Sequence, residues 1–427
     1  MSAARIFTIP PQVAFTTALA EGLLSESQQQ KIPLVDYRLF LPTRRAVRAL
    51  RSAFAARGGA MLLPQIAPLG DMDAEALAFA EAAGGLAVQN APPAIDAWER
   101  RFLLLQLVQR YDPKLAAAGA WQLADALAQL LDGMQMLAVP VTALQHIIPA
   151  ELAAHWQRIL VLLQIITEVW PQILAERGLV DPVTRHQHIV ARQIALWQSA
   201  PPPYPVIAAG STASLPATAD LLAAITKLPQ GAVILPGLDQ TMPETVWEQI
   251  AEAPTHPQHM MQQWLARCAV PRRAVAVWPY GDMSGAARAT QLQTAFLPAA
   301  ATGLWRAPET RLDATGFVGI SLLAAETQAE EAAMIALKLR SVLATPARTA
   351  MLVTRDRQLA ARVVSHLRRW SIRIDDSAGT SLALAPLGRF LMLVLAAAQN
   401  EPTPVDWLAL LKNTLCGLGL STADCRA

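Results

Sequence analysis

Four arginines at the start of one predicted helix have the side-chain type and spacing that best suit phosphate binding. The segment LPTRRAVRALRS places Thr43 where it can cap the helix, and Arg44, Arg45, Arg48 and Arg51 follow. Arg44, Arg48 and Arg51 share one face because helical residues three and four apart are neighbours. A helix N-terminus and guanidinium groups both attract phosphate, so this segment is a candidate for binding a nucleic-acid backbone.

A second segment repeats this order of residues later in the chain. In VTRDRQLAAR, Thr354 follows a predicted strand as the expected cap, and Arg355, Arg357 and Arg362 lie nearby. One copy in each of two α/β blocks is the arrangement expected of a protein that grips one nucleic-acid backbone between two sheets. The alternative is an ordinary solvated helix face, and the spacing alone favours neither.

The chain opens with a strand, a turn and a helix, a unit that carries a phosphate loop in many nucleotide-binding proteins. Here the turn is Pro10-Pro11-Gln12, after a predicted strand over 6–9. A phosphate loop needs glycines for close backbone approach and a Lys followed by Ser or Thr. No Gly-Lys pair occurs in the 427 residues. We therefore do not expect this chain to hydrolyse ATP by that mechanism.

Other catalytic arrangements find little support in the sequence. Ser211 in AAGSTAS follows a predicted strand, but no Gly-x-Ser-x-Gly motif surrounds it, so a turn or a helix cap is favoured over a nucleophile. Asp375-Asp376 could bind a metal at the end of a predicted strand, although a turn with side-chain capping is favoured. We expect no catalytic residue in this chain.

Histidine pairs occur twice, and surface or capping roles are favoured over metal binding for both. His186 and His188 are two residues apart, so they diverge on a helix. His256 and His259 could share a face, but no carboxylate accompanies them. The three cysteines are too few and too scattered for a disulfide framework, so we expect free thiols and no metal site.

The composition indicates a chain with a large buried core. Hydrophobic residues make up 53% and charged residues 16%. The net charge of +2 is weak evidence for or against a nucleic-acid partner. Arginine is strongly preferred over lysine, which suits phosphate binding, but a GC-rich genome is the favoured explanation. No apolar run reaches the roughly 18 residues that a membrane span requires, and the N-terminus lacks a secretory signal, so we expect a cytoplasmic protein without membrane contact.

Predicted strands alternate with predicted helices in two blocks, which indicates an α/β fold with parallel sheets covered by helices. The first α/β domain is expected to be discontinuous, over 1–70 and 205–325, with an all-helical insertion over 71–198. Residues 326–427 are expected to begin a second α/β domain. The predicted strands lie near 6–9, 38–41, 60–69, 205–209, 231–236, 273–279, 316–325, 348–353 and 371–375.

Several ordered blocks together resemble the AddB subunit of bacterial AddAB helicase–nucleases, in its alphaproteobacterial form. They include FLPTRRAVRALRSAF, LLPQIAPLGDMD, AAGSTASLPATADLLAAI, GAVILPGLDQ and MLVTRDRQLAARVVSHLRRWSIRIDDSAG. The resemblance runs from about residue 5 to 412 and rests on many blocks rather than on one motif. It implies superfamily-1 helicase-like (RecA-like) parallel sheets with a helical insertion domain.

The resemblance also implies that the nucleotide site of this motor has degenerated. Pro10, Pro11 and Gln12 stand where some relatives keep a phosphate loop. Gly210 and Ser211 follow the strand that carries acidic residues in this helicase class. The opening strand, turn and helix would then be a retained scaffold that keeps the DNA path and lacks the phosphate chemistry.

The positions implied for DNA contact are the turn before the helix at 43–51 and the segment 62–71. Aromatic residues are absent there, so polar contacts from Arg44, Arg45 and Gln65 would replace base stacking. The candidate DNA-binding residues are Thr43, Arg44, Arg45, Arg48, Gln65, Thr354, Arg355 and Arg357.

The family implies partners and cofactors that lie outside this chain. An AddA-type helicase–nuclease subunit would form a heterodimer with it and hydrolyse ATP, and single-stranded and duplex-end DNA would be bound. Mg²⁺ and an iron–sulfur cluster belong to the C-terminal nuclease of longer family members. We therefore expect an N-terminal fragment with no cofactor of its own, in which residues 326–427 begin a truncated second helicase-like domain.

The leading hypothesis is the non-catalytic, helicase-like DNA-binding part of a double-strand break repair helicase–nuclease subunit. Such a subunit acts in DNA end resection and homologous recombination. One alternative is an ATP-hydrolysing helicase domain with an atypical phosphate loop. Another is a protein-docking scaffold whose helical region makes no DNA contact.

Overall fold

The structure, a computed structural model, describes residues 5–69, 92–140, 163–307, 314–377, 381–398 and 403–417, together with residues 379 and 419. The chain divides into two compact units, Met1–Gly319 and Ile320–Ala427. Each unit has apolar core clusters of its own. The boundary between the units falls a few residues before the expected one at 325/326.

A six-stranded sheet in which all strand pairs are parallel forms the centre of the first unit. Its strands are Ile6–Ile9 (β1), Arg38–Leu41 (β2), Gln65–Pro68 (β3), Val206–Ala209 (β4), Gly231–Pro236 (β5) and Ala276–Val277 (β6). The strand order is β3-β2-β4-β5-β1-β6. The predicted α/β class is confirmed, whereas the strands predicted over 60–69 and 273–279 are shorter than expected.

Successive residues of a strand point to opposite sides of the sheet, so these strands present apolar side chains on both faces, and helices cover both. Ile207 and Ile234 pack on one face, and Val206 and Val233 pack on the other. Strands buried on both faces read as continuous apolar runs, which explains the sequences of β4 and β5. The helices beside the sheet are Phe15–Gln30 (α1), Arg44–Ala55 (α2), Pro216–Ile225 (α7), Glu244–Gln249 (α8), His259–Arg267 (α9) and Ala286–Ala295 (α10).

Between β3 and β4 the described regular structure of the first unit is helical, apart from one isolated bridge between Ala94 and Val180. The helices are Ala97–Tyr111 (α3), Ala117–Met136 (α4), Trp170–Arg177 (α5) and Pro182–Ser199 (α6). A π-helical turn, Ile165–Val169, leads directly into α5. Leu104, Leu127 and Ile166 belong to their shared apolar core. Throughout the part of the chain that is described, no helix has both the length and the apolar character needed to cross a bilayer.

A buried ion-pair network joins these helices. Arg100 Nε lies 2.9 Å from Asp181 Oδ1, and Arg100 Nη1 lies 2.8 Å from Asp132 Oδ1. Asp181 Oδ2 accepts hydrogen bonds from Gln135 Nε2 at 2.7 Å and from Trp170 Nε1 at 3.1 Å. The Asp181 side chain is 2% exposed, so its negative charge depends on these partners rather than on water.

The histidine pair on α6 offers a test of how burial couples stability to pH. Burial lowers the pKa of His186, whereas His188 is exposed. As the pH falls, the unfolded chain takes up a proton at His186 at about pH 6.5, whereas the folded chain does so only at a lower pH. Stability is therefore retained above this pH and falls as the pH drops through the lowered folded pKa.

Replacing His186 with glutamine should flatten the pH dependence of unfolding on the acid side of neutrality. The reason is that the variant no longer has a side chain that must remain neutral in the fold. Urea unfolding midpoints across mildly acidic pH measure this, with His188→Gln as the matched control. Equal flattening in both variants would contradict the assignment to His186.

The second unit contains helices in its described residues, and no strand. The helices are Gln328–Leu343 (α11), Arg357–Arg368 (α12), Pro386–Ala398 (α13) and Pro404–Leu411 (α14). Ala332, Ala336, Val363 and Leu367 form the core between α11 and α12. A capping box begins α11: the Thr327 side chain accepts a hydrogen bond from the Glu330 N–H, and the Glu330 side chain accepts one from the Thr327 N–H.

The strands predicted over 316–325, 348–353 and 371–375 are wrong for the described residues. Residues 314–317 form a 3₁₀ turn, and the other two segments have no regular structure. A strand requires hydrogen-bonded neighbours, which an apolar pattern does not supply by itself. Met351 and Val353 are consequently 83% and 80% exposed.

Candidate nucleic-acid interface

Two crevices open at the carboxyl edge of the sheet, where neighbouring strands lead to helices on opposite faces. β1 and β5 form one such pair, because α1 packs on one face and α8 on the other. β2 and β4 form the second pair, since they lead to α2 and α7 respectively. In open α/β sheets ligands bind at such points, so both crevices are candidate sites.

The β2–β4 crevice brings together residues that the sequence analysis assigned separately. Gly210 follows β4 with φ of 80°, and a Cβ at this position would lie 3.3 Å from the Phe15 ring and 3.5 Å from Pro42 Cδ. Ser211 Oγ accepts a hydrogen bond from the Ala213 N–H at 3.2 Å, a turn role that was favoured from sequence. Gly210 therefore lies beside the residue that precedes the Thr43 cap.

The predicted start of α2 is confirmed. Thr43 Oγ1 accepts a hydrogen bond from the Ala46 N–H at 3.1 Å, so Thr43 is the N-cap. Val47, Leu50 and Phe54 are buried against the sheet and α1. Because one face of α2 is fixed inward, its opposite face must point to solvent.

That opposite face carries the arginine stripe, which we define as Arg44, Arg45, Arg48 and Arg51. All four side chains are exposed. Arg48 and Arg51 have no ion-pair partner within the described ranges of the chain. The stripe begins at the carboxyl edge of the sheet beside Gly210, so positive charge and a helix N-terminus coincide there.

Gln65 does not lie at this edge. In the parallel pairing of β2 and β3, Gln65 stands opposite Arg38 at the amino end of both strands. Leu41, at the carboxyl end of β2, lies about 10 Å further along the strand at some 3.3 Å per residue, and Thr43 comes two residues after it. The register therefore separates Gln65 from the start of the arginine stripe.

In the second unit the predicted cap is wrong by two residues. Asp356, not Thr354, is the N-cap of α12, and it accepts hydrogen bonds from two N–H groups of the first turn. Thr354 Oγ1 accepts instead from the Asp356 N–H at 3.1 Å. A carboxylate accepts these bonds more strongly than a hydroxyl, which explains why the helix starts later than expected.

The two arginines beside this cap differ in their surroundings. Arg357 makes a bidentate pair with Asp376, with nitrogen–oxygen distances of 3.1 and 2.7 Å. These hydrogen bonds and the charge of Asp376 raise the pKa of Arg357. Arg355 is exposed. Arg355 is therefore better placed than Arg357 to contact an added phosphate.

The β1–β5 crevice begins with the turn that replaces a phosphate loop. Pro10 and Pro11 have no N–H, and the Val13 N–H donates to the Pro10 carbonyl at 3.0 Å. Gly237, which follows β5 with φ of 62°, packs on Pro11: a Cβ there would lie 3.4 Å from Pro11 Cβ. Among residues 10–13, only Gln12 keeps an N–H that could reach a phosphate.

The loop after β5 is held by side chains from distant parts of the chain. Gln258 Nε2 donates to the Gly237 carbonyl at 2.9 Å, and Gln258 Oε1 accepts from the Asp239 N–H at 3.0 Å. Arg272 is buried and its Nη1 donates to the Asp239 carbonyl at 3.1 Å. Sequence reasoning missed Gln258 and Arg272, because each meets its partner only through the fold.

Thr8 fixes the same loop from within β1, and replacing it with valine should destabilise the fold. Thr8 Oγ1 accepts a hydrogen bond from the Leu238 N–H at 2.9 Å in a buried setting. Valine has the same shape and leaves this N–H unsatisfied, at a cost of about 1–3 kcal/mol. Urea unfolding measures the loss, and Thr17→Val on the exposed side of α1 should change stability by less than about 0.5 kcal/mol.

No protein-family model matches this chain. No curated protein matches it either. In the parts that the structure describes, histidine, cysteine and acidic side chains form no group of three that could hold a metal ion.

Proposed function

We propose that this protein is the non-catalytic, helicase-like DNA-binding part of a double-strand break repair helicase–nuclease subunit of the AddB type. In this role it acts in DNA end resection and homologous recombination in the cytoplasm. It pairs with an AddA-type subunit, which supplies ATP hydrolysis. Nuclease chemistry that uses Mg²⁺ and an iron–sulfur cluster belongs to other parts of such a complex.

The observation that carries this proposal is the arginine stripe. Four exposed arginines follow a capped helix N-terminus at the carboxyl edge of a parallel sheet, beside the second crevice. Such a surface neutralises successive phosphates without reading bases, because guanidinium groups and helix N–H groups both bind phosphate oxygens. A subunit that scans a DNA strand needs a surface of this kind.

The opening turn supports a binding role over a catalytic one. A sheet of this parallel type is compatible with a RecA-like motor domain. Where such a domain has its phosphate loop, however, this chain has Pro10 and Pro11, which lack an N–H, and Val13, whose N–H donates to the Pro10 carbonyl. A turn with so few donors is poorly suited to holding the phosphates of ATP.

Single-stranded DNA binding by the whole chain, followed by fluorescence anisotropy at increasing salt, tests this proposal. Phosphate contacts release counterions, so the logarithm of the affinity should fall by about 0.7 per contact for each tenfold rise in salt. Binding that is absent, or that is insensitive to salt, both alone and with the partner subunit, would contradict it. ATP turnover by this chain would favour the atypical motor instead.

One observation favours protein docking as a second candidate function. Trp98 and Phe102 lie one turn apart on α3 and are 59% and 52% exposed. Aromatic side chains at such positions are typical anchors of protein interfaces. A partner complex that survives high salt, together with an absence of DNA binding, would favour this function.

A further inference from the structure

The second unit contains an apolar helix whose exposed side the proposed function does not use. α13 has the sequence PLGRFLMLVLAAA, with Arg389 as its one charged residue. It contacts α14 and the 3₁₀ turn Leu382–Leu384. Phe390 and Leu393, three residues apart, are half-buried, so one side of the helix is covered. A helix that is apolar all round is normally covered on every side.

The opposite side of α13, which we call the outer face, is apolar and open to solvent. Leu387, Leu391 and Val394 lie there at spacings of four and three residues, and all three are exposed. Ala398, also exposed, continues the series four residues later. Alternating spacings of four and three form the seam along which two helices pack side by side. The outer face therefore has the pattern of a helix–helix contact that the described part of the chain does not make.

The exposed apolar surface around α13 is large enough for a protein interface. Eight large apolar side chains of α13 and α14 are between 38% and 72% exposed. They are Leu387, Leu391, Met392, Val394, Leu395, Val405, Trp407 and Leu408. Together they leave on the order of 700 Å² of apolar surface, close to the roughly 800 Å² that each partner buries in a standard interface. Apolar patches on monomeric proteins rarely exceed a few hundred Å².

The charges of this helix favour a second copy of the chain as the partner. Arg389 precedes Leu391 by two residues, about 200° around the helix, so it points away from the outer face. Two outer faces can therefore meet without bringing like charges together. The spacing is also self-complementary. In an antiparallel pair Leu387 meets Ala398 of the second copy, and Leu391 meets Val394 of the second copy, so each leucine faces a smaller side chain.

We propose that the chain forms a homodimer in which α13 packs antiparallel against α13 of a second copy, about a two-fold axis near the middle of the helix. This inference does not rest on the proposed function. A lipid surface fits the outer face less well, because helices that lie in a membrane interface carry Lys and Arg on an opposite, solvated face. α13 has a single arginine, and the side opposite its outer face is covered within the protein.

Sedimentation equilibrium of the whole chain tests this proposal. With a dissociation constant on the order of 10 µM, the average mass should rise from near one chain to near two between about 1 and 100 µM protein. Leu391→Lys should weaken the dimer at least about tenfold, because each copy would bury an ammonium group without a partner. Leu62→Lys, on an exposed loop of the first unit, is the matched control and should leave the mass unchanged. A parent chain that stays monomeric, or a dimer that Leu391→Lys does not weaken, would overturn the proposal.

A charge exchange tests the two-fold arrangement itself. The axis lies near residue 391, so the two copies of this residue approach each other in the dimer. An equal mixture of Leu391→Lys and Leu391→Glu chains should therefore associate at least about tenfold more tightly than either variant alone. The corresponding mixture of Leu62→Lys and Leu62→Glu should show no such gain. A mixture of the two Leu391 variants that associates no more tightly than its components would count against the two-fold pair.

Two further readouts separate self-association from folding, DNA binding and lipid binding. Leu391 is 47% exposed in the single chain, so Leu391→Lys should unfold thermally close to the parent. The variant leaves the arginine stripe intact and should keep any salt-dependent DNA binding of the parent. Sedimentation with phosphatidylcholine vesicles completes the test. A monomeric parent that binds these vesicles through Leu391 would assign the outer face to lipid and overturn the homodimer.

Discussion

Replacing Arg44 and Arg45 together with glutamate should weaken single-stranded DNA binding by about ten- to a hundredfold at moderate salt. Both side chains lie in the first turn of α2, where the helix N-terminus adds to their attraction for phosphate. If each arginine neutralises one phosphate, the salt dependence should also decrease, by about 1.4 in the log–log slope. Fluorescence anisotropy over a range of about 50 to 200 mM salt measures both quantities.

The matched control is Arg273→Glu with Arg306→Glu. These arginines are also exposed in the first unit, and the change in net charge is the same. If only the long-range charge of the protein mattered, both double variants would lose affinity equally. A loss confined to the Arg44 and Arg45 variant assigns the contact to the arginine stripe, and equal losses would argue against a defined DNA path there.

Replacing Arg100 with methionine should cost about 3–5 kcal/mol of unfolding free energy, which is close to the whole stability of many domains. The change removes the cation that faces Asp181 and leaves a carboxylate buried with only neutral donors. The Arg100 N–H groups are not aligned with the acceptor oxygens, although the atoms lie 2.8 and 2.9 Å apart. Most of the loss therefore comes from the unpaired charge rather than from a hydrogen bond.

Urea unfolding followed by tryptophan fluorescence measures this effect; Trp170, which is hydrogen-bonded to Asp181, is one of eleven tryptophans that contribute to the signal. The neighbouring variant Arg101→Met is the control. Its ion pair with Asp125 has side chains 45% and 34% exposed, so the loss should be about 1 kcal/mol or less. Similar losses in both variants would show that the buried pair contributes no more than a surface pair.

A double variant separates the charge from the packing at this site. Replacing Asp181 with leucine alongside Arg100→Met removes both charges, and should recover part of the stability lost in Arg100→Met. The recovery is limited because Gln135 and Trp170 would each lose an acceptor. A double variant less stable than Arg100→Met would contradict the account based on an unpaired buried charge.

The sheet of the first unit was predictable where its strands are apolar on both faces. β1, β4 and β5 lie where apolar runs placed them, and β2 lies where the alternating pattern of Arg38–Leu41 placed it. The strands predicted over 348–353 and 371–375 do not form in the described structure. The difference is that a strand needs a neighbour to accept its backbone hydrogen bonds, and a local pattern does not reveal whether one is present.

The candidate interface was predictable in part for the same reason. Thr43 and the arginines of α2 depend on helix capping and amphipathic spacing, which are local properties. The position of Gln65 depends on strand register, and the start of α12 depends on competition between Thr354 and Asp356 for the same N–H groups. Register and such competition are settled by three-dimensional contacts, so sequence spacing misplaced the start of α12 and could not reveal where Gln65 lies.

The sequence by itself determined the α/β class, the absence of a Gly-Lys phosphate loop and the outward arginines of α2. Only the tertiary structure decided that Gly210 meets Pro42, that Gln258 and Arg272 hold the loop after β5, and that Arg100 faces Asp181. Local properties follow from neighbours in the chain, because capping and periodicity act within a few residues. Clefts and buried charges arise from residues far apart in sequence, whose contacts exist only after the strands have taken their order in the sheet.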